Sequence, residues 1–346
     1  MDAVTLKHVD KSYTSYSTEV VLTGQTRESR TRQVLKDLSL SFPVGQLTVI
    51  VGRSGCGKST LLKLLFANGA STVYAVRVGA GGGLEAYQAA FAALANCDVQ
   101  VVVCDSSELT IQKALKTAVE TASAARGERI GVIGSSGDTA AQLVTRAEAI
   151  NSERMVLVGP DMKDESGKAL SGVFAAAAVA AVIAGNTDPS VPINGAELTL
   201  FGAAGKRLSD NEIDQLVRGG VTPIETVGGV SSPVRGITTK TSSGGAADTT
   251  WRELTTILIV DEVIPTIRSA LRTRFARSKN TAQSRGAIRS QVVLELEEMK
   301  SREIVDSYGE VLVSALKSDP TVCLVEFSFT VAHGLNRIYL TAHITV

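Results

Sequence analysis

The sequence predicts an α/β protein in which a mostly parallel sheet body carries helices on both faces, followed by a C-terminal α+β segment that ends in a β-hairpin. Two patterns carry this expectation. Between residues 72 and 160, valine-rich runs such as Val99-Gln100-Val101-Val102-Val103-Cys104 alternate regularly with stretches of helical period. Strands apolar on both sides belong to parallel sheets covered on both faces. At the end of the chain, residues 321–330 and 337–346 alternate apolar with polar around His333-Gly334-Leu335-Asn336, the pattern of strands with one buried side joined by a turn.

The elements follow in order. Val4-Thr5-Leu6 and residues 38–42 read as half-buried strands, and the polar stretch 15–32 between them, with Thr23-Gly24 as a turn signal, reads as an exposed loop or hairpin. Residues 46–51 form a strand running into a glycine loop. Then come strand 73–78, helix 84–95, strand 99–104, helix 109–125, strand 130–133, helix 139–150 and strand 155–158, with Val101, Val103, Val132, Val156 and Val158 expected in the core. Residues 173–184 are almost all alanine and valine and fall short of the roughly 18 residues of a membrane span, so they read as a buried helix. Residues 195–245 are rich in glycine, threonine and serine, with one helix at 209–218 capped by Ser209-Asp210. Helical periodicity returns at 263–275 and 287–302. The expected segments are 1–66, 67–250 and 251–346, and no internal repeat is visible.

Composition bounds the function. The chain has 346 residues, 35 Lys+Arg against 35 Asp+Glu, and 44% hydrophobic residues, a globular rather than a disordered balance. A net charge of zero argues against a dedicated nucleic-acid binder, which needs a basic surface to displace counterions, and it favours self-association. Cys56, Cys97, Cys104 and Cys323 show no C-x-x-C spacing, so neither zinc nor a disulfide framework is expected, and a reducing compartment is. The first residues lack the basic and apolar regions of a secretion signal, and no apolar run is long enough to cross a membrane.

Gly52-Arg53-Ser54-Gly55-Cys56-Gly57-Lys58-Ser59 fits G-x-x-x-x-G-K-[ST] between a strand and a helix, the context in which backbone amides cradle phosphates. Lys58 would reach the β- and γ-phosphates and Ser59 would ligate Mg²⁺. With Leu6-Lys7-His8-Val9-Asp10-Lys11-Ser12-Tyr13 and Val34-Leu35-Lys36-Asp37-Leu38-Ser39-Leu40 upstream, residues 1–66 resemble the start of an ABC-type ATPase. The resemblance implies that Gly52, Gly55, Gly57, Lys58, Ser59 and Thr60 hold the phosphates of ATP with Mg²⁺, and that Tyr13 stacks on adenine. It stops near Phe66. The glutamine loop, the L-S-G-G-Q signature and the switch histidine of that family are missing. Ile257-Leu258-Ile259-Val260-Asp261-Glu262 only imitates its hhhhD-E strand, and Ser243-Gly244-Gly245 lacks the flanks of a signature. No catalytic residue and no metal site are assigned, no cofactor is required, and ATP hydrolysis is not expected.

From about Leu65 onward the chain resembles a contractile-tail sheath protein of the phage and bacteriocin type. Phe66-Ala67-Asn68-Gly69-Ala70, the run Arg274-Phe275-Ala276-Arg277-Ser278-Lys279-Asn280-Thr281 leading to Arg285-Gly286-Ala287-Ile288-Arg289-Ser290-Gln291, and the ending Asn336-Arg337-Ile338-Tyr339-Leu340-Thr341-Ala342-His343-Ile344-Thr345-Val346 carry the resemblance. It implies a structural subunit that polymerises with copies of itself around a tail tube protein, meets a baseplate and contracts to drive ejection. It also implies a place in a virion tail or tail-like particle assembled in the host cytoplasm, with no membrane span. An ABC-type ATP-binding protein of a transporter, or a non-functional fusion of the two, is the alternative. Arg274, Arg277, Lys279, Arg285 and Arg289 are the candidate assembly cations, read as an intersubunit charge match to Glu295, Glu297, Glu298 and Glu303 rather than as a solvated face or a DNA grip. Arg337, Ile338, Tyr339, Leu340 and Ile344 are the candidate assembly strand, which either adds to a neighbour's sheet edge or closes its own sheet.

Other clusters read as structural. His8, His333 and His343 are scattered. Cys104-Asp105-Ser106-Ser107 ends a strand where α/β sheets place ligands, yet no histidine lies near in sequence to activate a nucleophile. Gly134-Ser135-Ser136-Gly137 reads as a strand-to-helix turn with Asp138 near the cap.

Overall fold

A computed structural model describes residues 4–21, 24–42, 48–51, 58–79, 81–164, 166–199 and 201–336; for 4–21, 24–42, 48–51, 58–62 and residue 96 it describes the backbone path. The chain divides into two units, Met1–Gly45 and Gln46–Val346. In the first, β1 (Val4–Val21) and β2 (Gly24–Phe42) pair antiparallel from Val21↔Gly24 back to Val4↔Phe42, the hairpin alternative for the polar stretch.

The second unit is built on a seven-stranded sheet. Its strands are β3 (Thr48–Val51), β4 (Tyr74–Arg77), β5 (Val101–Cys104), β6 (Ile130–Gly134), β7 (Met155–Gly159), β10 (Val221–Val227) and β11 (Val230–Pro233), in the order β11-β10-β7-β6-β5-β3-β4. All neighbours run parallel except β10 and β11, which form a hairpin. Between β7 and β10 lie β8 (Met162–Lys163) and β9 (Ala203–Ala204), paired with each other. One face of the sheet packs on α1 (Lys58–Ala67) and α5 (Gly172–Gly185), through Leu64, Leu65, Val101, Val103, Val132, Val156 and Val158. The other packs on α2 (Leu84–Ala93), α3 (Leu109–Ala124), α4 (Ala140–Ile150) and α6 (Asp210–Arg218). The five valines expected in the core are 0–3% exposed.

Small residues set the spacing of this body. Ala175 to Ala181 in α5 are fully buried, and a helix of alanines lies close against a sheet because no side chain holds it off. Closer still, a Cβ on Gly134 would fall 2.0 Å from the carbonyl oxygen of Gly172, and one on Gly172 would fall 1.9 Å from that of Ser135. The Gly134–Gly137 turn is therefore a backbone-to-backbone packing point. Helix α4 is capped by Thr139, whose side chain forms a capping box with Gln142, while Asp138 pairs with Arg146 at 2.9 Å. Ser209 caps α6 in the same way with Glu212.

After the short hairpin β12 (Ser242–Ser243) and β13 (Ala246–Ala247), the chain enters a C-terminal lobe. Helix α7 (Leu254–Phe275) begins nine residues before its expected start at 263 and α8 (Ala282–Ser301) five before its expected start at 287. Residues 257–262, the imitation of a catalytic strand, are thus helical. Leu254 and Ile257 belong to the core of the body, whereas Ile259, Val263 and Ile267 join Val292, Leu296 and Met299 of α8 in a separate core.

The expected strand 321–330 is two strands. β16 (Asp319–Glu326) pairs with β15 (Leu312–Leu316), and β17 (Phe329–Val331) pairs with β14 (Val305–Tyr308). The break falls at Phe327-Ser328, where Phe327 stacks on Phe329 at 6.2 Å and the Ser328 carbonyl accepts from the Gly309 amide. Residues 337–346 lie outside the described residues.

Candidate functional site

Two places in the second unit bring chemistry-bearing residues together: the outer surface of the C-terminal lobe and the C-terminal end of the parallel sheet.

In the lobe, the acid-free stretch from Val263 to Leu294 spans α7, the turn and α8. Its cations are not equivalent. Arg268 turns inward and donates to Glu128 of the body at 2.7 Å. Burial works against the Glu128 charge, but the Arg268 hydrogen bond, with the charges of Arg268 and Arg154, holds its carboxyl below the ordinary range. Arg274 donates to Gln291, Arg285 to Asn280 Oδ1 at 3.0 Å, and Arg289 lies 3.6 Å from Glu310 in an exposed pair. Arg277 and Lys279 are exposed at the turn, without a partner among the described residues. The expected acidic counterparts are partly engaged within the lobe, Glu295 by Gln291 and Glu297 by Tyr308.

Asn280 ties this basic turn to the β15–β16 hairpin by donating to the carbonyls of Pro320 at 2.7 Å and Val322 at 3.2 Å. On that hairpin the side chains alternate. Val313 and Val325 pack on the lobe core, while Leu312, Leu316, Val322 and Leu324 are 37–51% exposed. An outward apolar face on a two-stranded sheet, whose outer edges have no partner among the described residues, is the arrangement that isolated domains avoid. The assembly-strand residues Arg337, Ile338, Tyr339, Leu340 and Ile344 lie outside the described residues.

The other place is the sheet end where the glycine-rich motif begins. Gly52, Gly55 and Gly57 lie outside the described residues. Lys58, Ser59 and Thr60 open α1, described by backbone, and Tyr13 lies in β1 of the first unit. Strand β3, which leads into the motif, sits between β4 and β5. At the end of β5, Cys104 is 1% exposed and burial pushes its thiol up to about 12, so it is no nucleophile at neutral pH. Asp105, half-buried, accepts a hydrogen bond from the Tyr87 hydroxyl at 2.5 Å on Oδ1. The loop behind it is pinned: buried Gln112 donates to the carbonyls of Gly134 at 2.8 Å and Ser106 at 3.3 Å, and Arg146 donates to that of Ser107 at 2.9 Å.

Asp261, the acid of the imitated strand, lies on α7 at the opposite end of the body. It takes a two-pronged ion pair from Arg154 at 2.8 and 2.9 Å. Burial pushes its carboxyl up, beyond what Arg154 pulls down. Sequence reasoning missed this pair and the buried Arg129, which donates to the carbonyls of Leu94 and Cys97 at 3.1 Å. Their partners are distant in sequence. Of the three histidines, His333 is exposed, His8 lies in β1, described by backbone, and His343 lies outside the described residues; among the described residues no cluster of three metal-ligating side chains occurs, and no helix is long and apolar enough to cross a membrane.

Comparison with known proteins matches three stretches of the chain. The model of the phage tail sheath protein central domain matches residues 80–239, that of the phage tail sheath C-terminal domain matches 246–345, and that of the ABC transporter matches 35–79. The aliphatic sulfonates import ATP-binding protein SsuB 2 of Pseudomonas aeruginosa is 59% identical over 46 residues, 13% of this chain and 17% of that protein. The corresponding protein of Pectobacterium atrosepticum is 47% identical over 64 residues, 18% and 24% of the two chains. The chain thus spans less than a quarter of these curated relatives. Among solved structures, the sheath tail protein of Desulfitobacterium hafniense is similar at TM-score 0.58 and 13% identity, over 72% of this chain and 60% of that one. The helical sheath of the anti-feeding prophage in its contracted state gives 0.67 at 13%, over 87% and 92%, and a chain of that particle's baseplate gives 0.68 at 13%, over 90% and 98%. At such identities these likenesses show the fold. The two sheath models account for most of the described body and lobe, and through its central and C-terminal domains the chain belongs to the phage tail sheath family.

Proposed function

We propose that the protein is a structural subunit of a contractile tail sheath. It polymerises with copies of itself around a tail tube, meets a baseplate, and drives ejection by contraction in a tail or tail-like particle assembled in the host cytoplasm. The observation that carries the reading is the open C-terminal lobe: a two-stranded hairpin exposing Leu312, Leu316, Val322 and Leu324, followed by residues 337–346. In these, Ile338, Leu340, Ala342, Ile344 and Val346 alternate with polar positions. Such a strand supplies main-chain hydrogen bonds to an unpaired edge, and its alternate side chains set the register. Arg277 and Lys279, with Arg274, Arg285 and Arg289 beside them, give the contact its charge. The working division is residues 1–66, an ABC-like front; 67–250, the sheath body; and 251–346, the assembly lobe. Energy comes from subunit contacts, not ATP hydrolysis, because the chain lacks the signature loop and switch histidine of a transport ATPase.

Deleting residues 337–346 is the test. The truncated chain keeps the circular dichroism of the folded body but no longer forms large particles in sedimentation. Loss of folding would mean that the strand completes its own domain, and particles as abundant as before would remove it from assembly.

A further inference from the structure

Between α2 and α3 the body keeps an open cavity of about 550 Å³ that no part of the sheath reading uses. Its floor is core: Phe91 of α2 with Leu115 and Val119 of α3. Along one wall α3 presents Ala114, Ala118 and Ala122, each about a turn from the next. Alanines let α5 close onto the sheet, whereas between α2 and α3 they leave a gap that no described side chain fills. Sites for small molecules have this character: roughly 300–1,000 Å³, mostly apolar walls, and a few polar groups that fix orientation.

The polar group here is Arg129, which lines the cavity where α2 and α3 both end and is only 5% exposed. Its Nε donates to the Gly127 carbonyl at 3.2 Å, Nη1 to that of Leu94 at 3.1 Å and Nη2 to that of Cys97 at 3.1 Å. A guanidinium has five N–H groups, so Nη1 and Nη2 each keep one without an acceptor among the described residues. The three carbonyls solvate the cation, but it forms no ion pair among the described residues. Burial works against its charge, and Asp98 supports it only from beyond ion-pair distance. Buried charges are ordinarily paired, and this one borders an apolar space large enough for a ligand. We infer that the cavity binds an amphiphilic carboxylate, its apolar chain lying between α2 and α3 and its single carboxylate accepting the remaining N–H groups of Arg129. A small anion without a tail would leave the apolar walls wet, and a tail without an anion would leave the guanidinium unpaired.

The experiment is isothermal titration calorimetry of the full-length chain with octanoate and with 1-octanol, which share a tail and differ in the head, both kept below their aggregation limits. Octanoate is expected to bind saturably at one site per chain and roughly tenfold more tightly than 1-octanol, the scale of one hydrogen bond to a charged group. Ala118→Leu fills the cavity from its half-buried wall and abolishes binding of both, with the circular dichroism of the folded chain unchanged. Arg129→Gln brings octanoate down to the affinity of 1-octanol. If that variant fails to fold, the two ligands on the unaltered chain and the Ala118→Leu variant still decide the matter. No saturable binding of octanoate, equal affinity for the two ligands, binding that survives Ala118→Leu, or a carboxylate preference that survives Arg129→Gln would each overturn the inference. None of these results bears on sheath assembly, which is read separately by sedimentation.

Discussion

The α/β body and the C-terminal lobe solve the burial problem in opposite ways. In the body every central strand is covered on both faces, by α1 and α5 on one side and by α2, α3, α4 and α6 on the other, so its apolar residues are satisfied within one chain. Among the described residues the lobe has two α-helices and two separate two-stranded sheets. Two-stranded sheets are marginal alone, and this one turns a row of leucines and a valine outward. The difference is why the proposed reading puts assembly in the lobe, where among the described residues the β15–β16 hairpin keeps an outward apolar face.

Removing residues 337–346 has the largest expected effect, abolishing assembly while the body stays folded. Within the body, Gly172→Val is expected to cost on the order of 3 kcal/mol in urea unfolding. A side chain there meets the Ser135 backbone, and neither strand nor helix can retreat without opening the core. Ser314→Val on the lobe hairpin is the contrasting substitution: it is exposed and should change stability by less than about 0.5 kcal/mol. Equal losses at the two sites would erase the distinction between a finished body and an unfinished lobe.

The ion pairs that join body to lobe sharpen the comparison. Arg154→Ala leaves the Asp261 carboxylate buried without its cation and is expected to cost about 3 kcal/mol at neutral pH. Because burial raises the folded pKa of Asp261, protonation relieves that cost, so the variant's deficit shrinks as pH falls through the raised folded value. Glu128 runs the other way. Its folded pKa is lowered, so its contribution with Arg268 is present above the ordinary carboxylate value of 4.5 and is lost as pH falls through the lower folded one. Arg268→Ala should therefore cost about 0.5–1 kcal/mol at pH 7 and progressively less as that group protonates. Chemical denaturation across this pH range reads both signs. The smallest effect is chemical: Cys104 stays unlabelled by a thiol reagent at pH 8 in the folded chain, as mass-spectrometric mapping would record, because its thiol is pushed up to about 12 and fully covered.

How much of this was legible beforehand follows the same division. The strands around Val101, Val132 and Val156 and the alanine helix could be read because burial on all sides leaves a run of one residue type. Strands β14 and β15 could not: Val305–Tyr308 mixes charged, polar and apolar residues, Leu312–Leu316 is apolar apart from Ser314 and too short to tell a strand from a helix, and both owe their pairing to partners later in the chain. Residues 257–262 are ambiguous between a buried strand and a helix until Pro265 and the apolar positions 263 and 267 are taken into the same period. The basic run was visible, but its inward member Arg268 was not distinguishable from Arg277, because Glu128 lies 140 residues away.

The most direct measurement of the central claim is negative-stain electron microscopy of the purified full-length chain over a concentration series, with sedimentation velocity on the same samples. A sheath subunit yields rings or tubes whose abundance rises steeply with concentration. A single slow-sedimenting monomer at every concentration, with no ordered particles on the grid, would contradict the account.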